Sequence, residues 1–274
     1  IGGWQKLSAS SFLGTCRALQ PFVGLDGSNY IGVGTHLKYY IEEGGGYNDI
    51  TPIRATTSAG DVTFAATNGS STVVVADASH GALQNDFVTF SGAASLGGTI
   101  TANVLNQEYQ IADIINGNSY SIVARAVASV TEITINGQYT PTAIAANGSD
   151  SGSGGGSIVG TYQVNTGLDT AVLGNGWGAG TWARGTWGSG TDLSAPGDSL
   201  RIWSHDNFGE DLIFNARNGG IFYWDKSTNA TNMLRGVAIS DLSGADATTP
   251  TIAKQVMISD RDRHVIVFGC DPQD

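Results

Sequence analysis

The carboxylates most able to do acid–base work here are Glu42-Glu43, Asp206, Glu210-Asp211, Asp225 and Asp260-Arg261-Asp262-Arg263. A glycosidase needs two carboxyl groups facing each other, with pKa values pushed apart by their surroundings. Most of these acids stand beside Gly or Asn at expected turns, where an acidic side chain accepts from its own backbone. Turn chemistry is therefore their expected role. The Asp260–Arg263 run reads as a solvated turn or as an ion-pair rim at a subunit interface. Ser204-His205-Asp206 spells a triad, yet adjacent residues point apart and cannot form the relay. The four histidines, His36, His80, His205 and His264, fall in separate segments, without the close-pair or i, i+4 spacing of a zinc site. Gly44-Gly45-Gly46 and Gly154-Gly155-Gly156 lack the Lys-Ser/Thr ending of a phosphate loop. Neither a nucleophile elbow nor an EF-hand spacing occurs, although calcium held by turn carboxylates stays open. The expectation is a chain without catalytic residues, metal site or cofactor: not an enzyme.

Tryptophan is the other conspicuous resource. Trp177, Trp182 and Trp187 recur at every fifth position among glycines. An odd period sends successive indoles to opposite faces of a straight strand, so irregular loop geometry is expected. Three readings stay open: indoles plugging an inner face, subunit packing, and an aromatic platform for sugars. With Trp203 and Trp224, these residues are the candidate core or interface anchors.

The scaffold that must position them is legible in the composition. Hydrophobic residues make up 41% of 274 residues, enough for a sizeable core. Charged residues are only 14%, against about 25% in ordinary soluble domains. Gly, with 39 residues, and abundant Ser, Thr, Asn and Ala take their place, a mixture suited to short strands and tight turns. A net charge of −11 without a basic stripe argues against direct nucleic-acid binding. No apolar run is long enough to span a membrane as a helix. Cys16 and Cys270 are too few for a disulfide framework and read as reduced, partly buried thiols made in a cytosol. The chain opens on Ile1 and stops after a strand-like run, as a segment of a longer polypeptide would.

Three zones follow. Residues 1–55 contain Asn29–Ile41, two strand-like runs around a Gly-containing bend. Residues 168–274 repeat that grammar at Asp211–Trp224, and His264–Cys270 reads as the first strand of a third, cut-off unit. Arg235–Ala238 and Asp49–Pro52 read as outer strands. Recurrence of one such unit suggests partial β-propeller blades, each needing neighbours to cover its apolar faces. Residues 56–167 carry short strands at Thr72–Val75, Asp86–Phe90, Glu108–Ile111, Ser119–Val123 and Glu132–Ile135. They read as an inserted small β-sandwich or barrel, closed by a flexible Gly/Ser link or long loop at Asn147–Gly156. The predicted class is all-β.

Ile1-Gly2-Gly3-Trp4-Gln5-Lys6, Leu25-Asp26-Gly27, Gly32–Tyr40 and Asn48–Arg54, in that order, resemble propeller-bearing tail tube or nozzle proteins of tailed bacteriophages. Leu200–Trp224 and Phe268-Gly269-Cys270 fit the same group, and the middle zone looks like a common tail insertion. The resemblance implies a structural component of a phage tail, of nozzle or hub type. It also implies symmetric self-association, contacts with other tail proteins, and a place in the virion after assembly in the host cytoplasm. It carries over no catalytic residue. A receptor-binding module for host surface glycans is the alternative, and a carbohydrate-degrading enzyme the more distant one.

Overall fold

The computed structural model describes residues 8, 10–127, 142–169, 200–228, 234–259 and 261–270. The protein is all-β. It divides into two compact units: Ile1–Pro52 together with Gly167–Asp274, and Ile53–Thr166.

The first unit opens with β1 (Cys16–Val23), β2 (Asn29–Thr35), β3 (Tyr39–Glu43) and β4 (Gly46–Asp49), an antiparallel meander in chain order. The β3–β4 turn needs Gly44 and Gly45, whose φ angles are +59° and +89°. β1 contains Pro21, a residue that a central strand would not tolerate. It survives as the edge of the sheet, where a missing N–H leaves no ladder bond unmade.

The second unit contains β5 (Ile53–Thr56), β6 (Thr63–Ala66), β7 (Thr72–Ala76), β8 (Phe87–Ser91) and the short helix α1 (Ala102–Leu105). After these come β9 (Glu108–Gln110), β10 (Asp113–Asn116), β11 (Ser119–Val123) and β12 (Val159–Gln163). They form two four-stranded sheets, ordered β10-β11-β7-β6 and β5-β12-β8-β9. Alternate residues of both, among them Phe64, Val75, Phe90, Tyr109, Tyr120 and Tyr162, share one buried cluster, as the inner faces of a sandwich do. Tyr162 donates to Asp77 at 2.5 Å, and the Tyr120 and Tyr162 hydroxyls meet at 2.7 Å, so both buried hydroxyls are partnered. The expected strand Glu132–Ile135 lies outside the described residues.

Asn147–Gly156 is the long loop of the two expected alternatives, and not a flexible link. Its backbone is bonded along its length: Gly152 donates to Leu96, Ala94 to Gly154, and Phe64 to Ser153. Asp150, 4% exposed, accepts from the backbone of Gly98, Thr99, Ile100 and Asn147 and from the Thr99 hydroxyl. Burial works to raise its pKa, but these hydrogen bonds outweigh it and hold the carboxyl below its ordinary value. The glycines here allow close backbone approach rather than flexibility.

The first unit resumes with β13 (Trp203–Phe208), β14 (Asp211–Ala216), β15 (Ile221–Trp224) and β16 (Val237–Ala238), a second four-stranded meander. It ends in the hairpin β17 (Gln255–Ile258) and β18 (Val265–Phe268). His264–Cys270 is therefore not the first strand of a third unit. Its strand pairs backwards with β17, and Arg261–His264 makes the turn, Arg263 adopting φ +51°.

The second meander is covered on both faces. Trp203, Leu212, Phe214 and Trp224 face the first meander, where they meet Gly34, Gly32, Tyr39 and Tyr30. Ile213 and Ile221 face away, clustered with Ala253, Val256 and Ile258 of the hairpin segment and with Phe208 and Tyr223. This period-2 alternation makes β13–β15 the middle layer of three.

Gly34 gives the Trp203 indole its space: a Cβ there would lie 2.5 Å from the ring. Gly34→Ala should lower stability by about 1–3 kcal/mol in urea titrations, the usual penalty for overpacking. Gly46→Ala, whose Cβ would meet only the Glu43 carbonyl at 3.5 Å, should be near neutral.

Candidate functional site

β13 brings together the polar residues that the sequence had spelled as a triad, and it separates them. On the side of the first meander, Trp203 donates from Nε1 to the Thr35 carbonyl at 2.6 Å. Its ring stands edge-on to Tyr39 at 5.0 Å, and the Arg201 guanidinium lies over it at 5.5 Å. His205 points the same way. Its Nδ1 and the Tyr39 hydroxyl share a hydrogen bond of 2.5 Å. On the opposite side, Ser204 accepts from Val256 N–H at 2.9 Å, and Asp206 accepts from Ile258 N–H at 2.9 Å. Asn215 of β14, fully buried, donates its amide to the carbonyls of Ala216, Gly219, Gly220 and Ala253. Each polar group thus staples the middle sheet to a neighbouring layer or turn.

The layer edges carry ion pairs. Asp49 binds Lys38 at 2.6 Å and Arg235 at 3.2 Å, and Arg235 also donates to the Thr51 carbonyl. Burial works against the Asp49 charge, but the two cations prevail and leave its pKa lowered. At another edge, Lys226 pairs with Asp26 at 2.7 Å and Glu210 at 3.4 Å. The Lys226 hydrogen bond takes the Asp26 carboxyl down to about 2.

The remaining sequence candidates are engaged locally. Glu42 accepts from Gly45 N–H, Asp211 from the Tyr223 hydroxyl and Lys226 N–H, and Asp225 from Ser227 and Thr228. His80 stacks edge-on against Tyr120 in the second unit, while His36 accepts from Thr15 N–H. Among the described residues no group of three or more His, Cys, Asp or Glu is placed to hold a metal ion. Trp203 and Trp224 are 5% and 1% exposed, Trp224 packed against Phe22 and Tyr30. Trp177, Trp182, Trp187 and Asp260 lie outside the described residues. Cys16 and Cys270 are free and exposed, not partly buried as expected: Cys16 opens β1 and Cys270 follows β18. Among the described residues no helix is long and apolar enough to cross a membrane.

One apolar face and one apolar edge of the layered unit are exposed. By register, Met257, Ile266 and Phe268 share the outer face of the β17–β18 hairpin, at 41%, 39% and 48% exposure. On the first meander, Leu19 and Val23 of β1 are 60% and 56% exposed.

No protein-family model matches the chain, and no curated protein does. Among solved structures it is similar to a phage phi92 endosialidase, at 13% identity and a TM-score of 0.23, over 90% of this chain. The chain spans 32% of that protein's length. A TM-score that low does not establish a shared fold.

Burial takes the His205 pKa down to about 4, from an ordinary 6.5. The unfolded chain therefore binds this proton first, and stability falls as pH drops from 6.5 towards 4, where the effect ends. Thermal melts across that window should slope less steeply in His205→Gln than in the parent; parallel slopes would mean that His205 is not held neutral.

Proposed function

We propose that this chain is a structural module of a bacteriophage tail, of nozzle or hub type, working through rigid stacking and subunit contacts rather than through a reaction of its own. The observation that carries this reading is β13, whose Ser204, His205 and Asp206 side chains are spent on holding layers together. A reaction centre needs convergent, unsatisfied groups beside a cavity, whereas here Ser204, His205 and Asp206 diverge to two faces. Two four-stranded meanders and a hairpin, stacked face to face, match what successive blades of a propeller require. The resemblance of its motif order to tail tube and nozzle proteins supports the virion as the setting of this architecture. Its exposed apolar residues then supply the self-association: the Met257, Ile266 and Phe268 face of one copy takes the Leu19 and Val23 edge of the next. Repetition of that contact builds a symmetric ring.

Met257→Ser/Ile266→Ser/Phe268→Ser should weaken association by at least about tenfold while leaving the melting profile near parental, since exposed anchors act on binding before folding. Light scattering reads the oligomer mass, and incorporation into particles reads the function. Undiminished association and incorporation would remove this face from the contact. Hydrolysis of a host polysaccharide by the purified chain would end the non-enzymatic reading.

A further inference from the structure

Six Asn-Gly pairs occur in this chain, at Asn68, Asn116, Asn136, Asn147, Asn175 and Asn218. Such a pair can close on itself: the backbone nitrogen of Gly attacks the Asn side-chain carbon, a carbon–nitrogen bond forms, and ammonia leaves. Water then opens the succinimide at either carbonyl, giving aspartate or isoaspartate. The attack needs a Gly nitrogen released from hydrogen bonding, and room for the backbone to fold over.

The structure separates the four described pairs. Gly69 N–H is bonded to the Ala146 carbonyl at 2.8 Å, and Gly219 N–H to the Ala216 carbonyl at 2.7 Å. Gly117 and Gly148 N–H have no backbone acceptor among the described residues. Both are exposed, as are Asn116 and Asn147, and a Cβ on either glycine would meet nothing within 4 Å. Asn136 and Asn175 lie outside the described residues.

We infer that Asn116 and Asn147 are sites of spontaneous deamidation, and that conversion of Asn147 loosens the loop held by Asp150. Asn147 reaches the Gly98 backbone from beside Asp150: a Cβ on Gly98 would lie 2.1 Å from Asn147 Oδ1 and 2.7 Å from Asp150 Oδ2. A carboxylate at position 147 sets a like charge against Asp150. The extra backbone carbon of isoaspartate shifts the Asn147 N–H, which bonds Asp150 at 2.8 Å.

The test is peptide mapping by mass spectrometry after incubating the whole chain in mildly alkaline buffer, with isoaspartate resolved chromatographically. Asn116 and Asn147 should convert first, with Asn68 and Asn218 trailing by up to about tenfold, the factor that one retained hydrogen bond gives. Gly148→Ala, which the open space accommodates, should slow conversion at Asn147 alone. Aged protein should melt at a lower temperature than fresh protein, and aged Gly148→Ala should lose less. Equal rates at all four sites, or conversion led by Asn68 or Asn218, would overturn the assignment. An unchanged melt in fully converted protein would overturn the link to Asp150.

Discussion

A sheet covered on both faces can leave few polar side chains idle, and the β13–β16 sheet is built under that constraint. Its apolar residues fill two different interfaces in alternation. Its polar residues, alternating with them, would be costly to bury unpaired, by about 1–3 kcal/mol each. Most find a partner instead: His205 on Tyr39, Ser204 on Val256, Asp206 on Ile258, and Asn215 on four carbonyls, the buried Trp224 indole N–H being the exception. Specific register follows, because a slip of one residue would turn His205 towards the hairpin and Ser204 towards the aromatic layer.

The same constraint decides what was readable beforehand. Apolar strands announced themselves: Ser119–Val123 is β11 to the residue, and the Asp211–Trp224 hairpin became β14 and β15. β13 did not, because Trp-Ser-His-Asp-Asn-Phe looks like a polar turn until its partners are known. The alternation of Trp203, His205 and Asn207 with Ser204, Asp206 and Phe208 was nevertheless in the sequence. Divergence of Ser204, His205 and Asp206 followed from strand geometry alone, whereas Tyr39 as the partner of His205 came from 166 positions away in the chain. β17 was hidden similarly, as Gln-Val-Met-Ile is too short to stand out without β18 beside it.

The second unit solves its polar accounting differently. There the loops are the problem, and one carboxylate, Asp150, gathers five donors to fix two of them. A Gly/Ser run that composition assigns to a flexible link becomes ordered, because its glycines let backbones meet. In both units buried acids serve as local fasteners, consistent with a chain whose charge is sparse and mostly negative.

Native-state hydrogen exchange of the β14 amides, Leu212 to Ala216, tests the three-layer account most directly. Under that account these amides exchange only when the first unit unfolds as a whole, so their protection equals its unfolding free energy and falls in step with denaturant. Exchange of β14 at the rate of exposed turns, or well before the surrounding strands, would show that the sheet is not held between two layers.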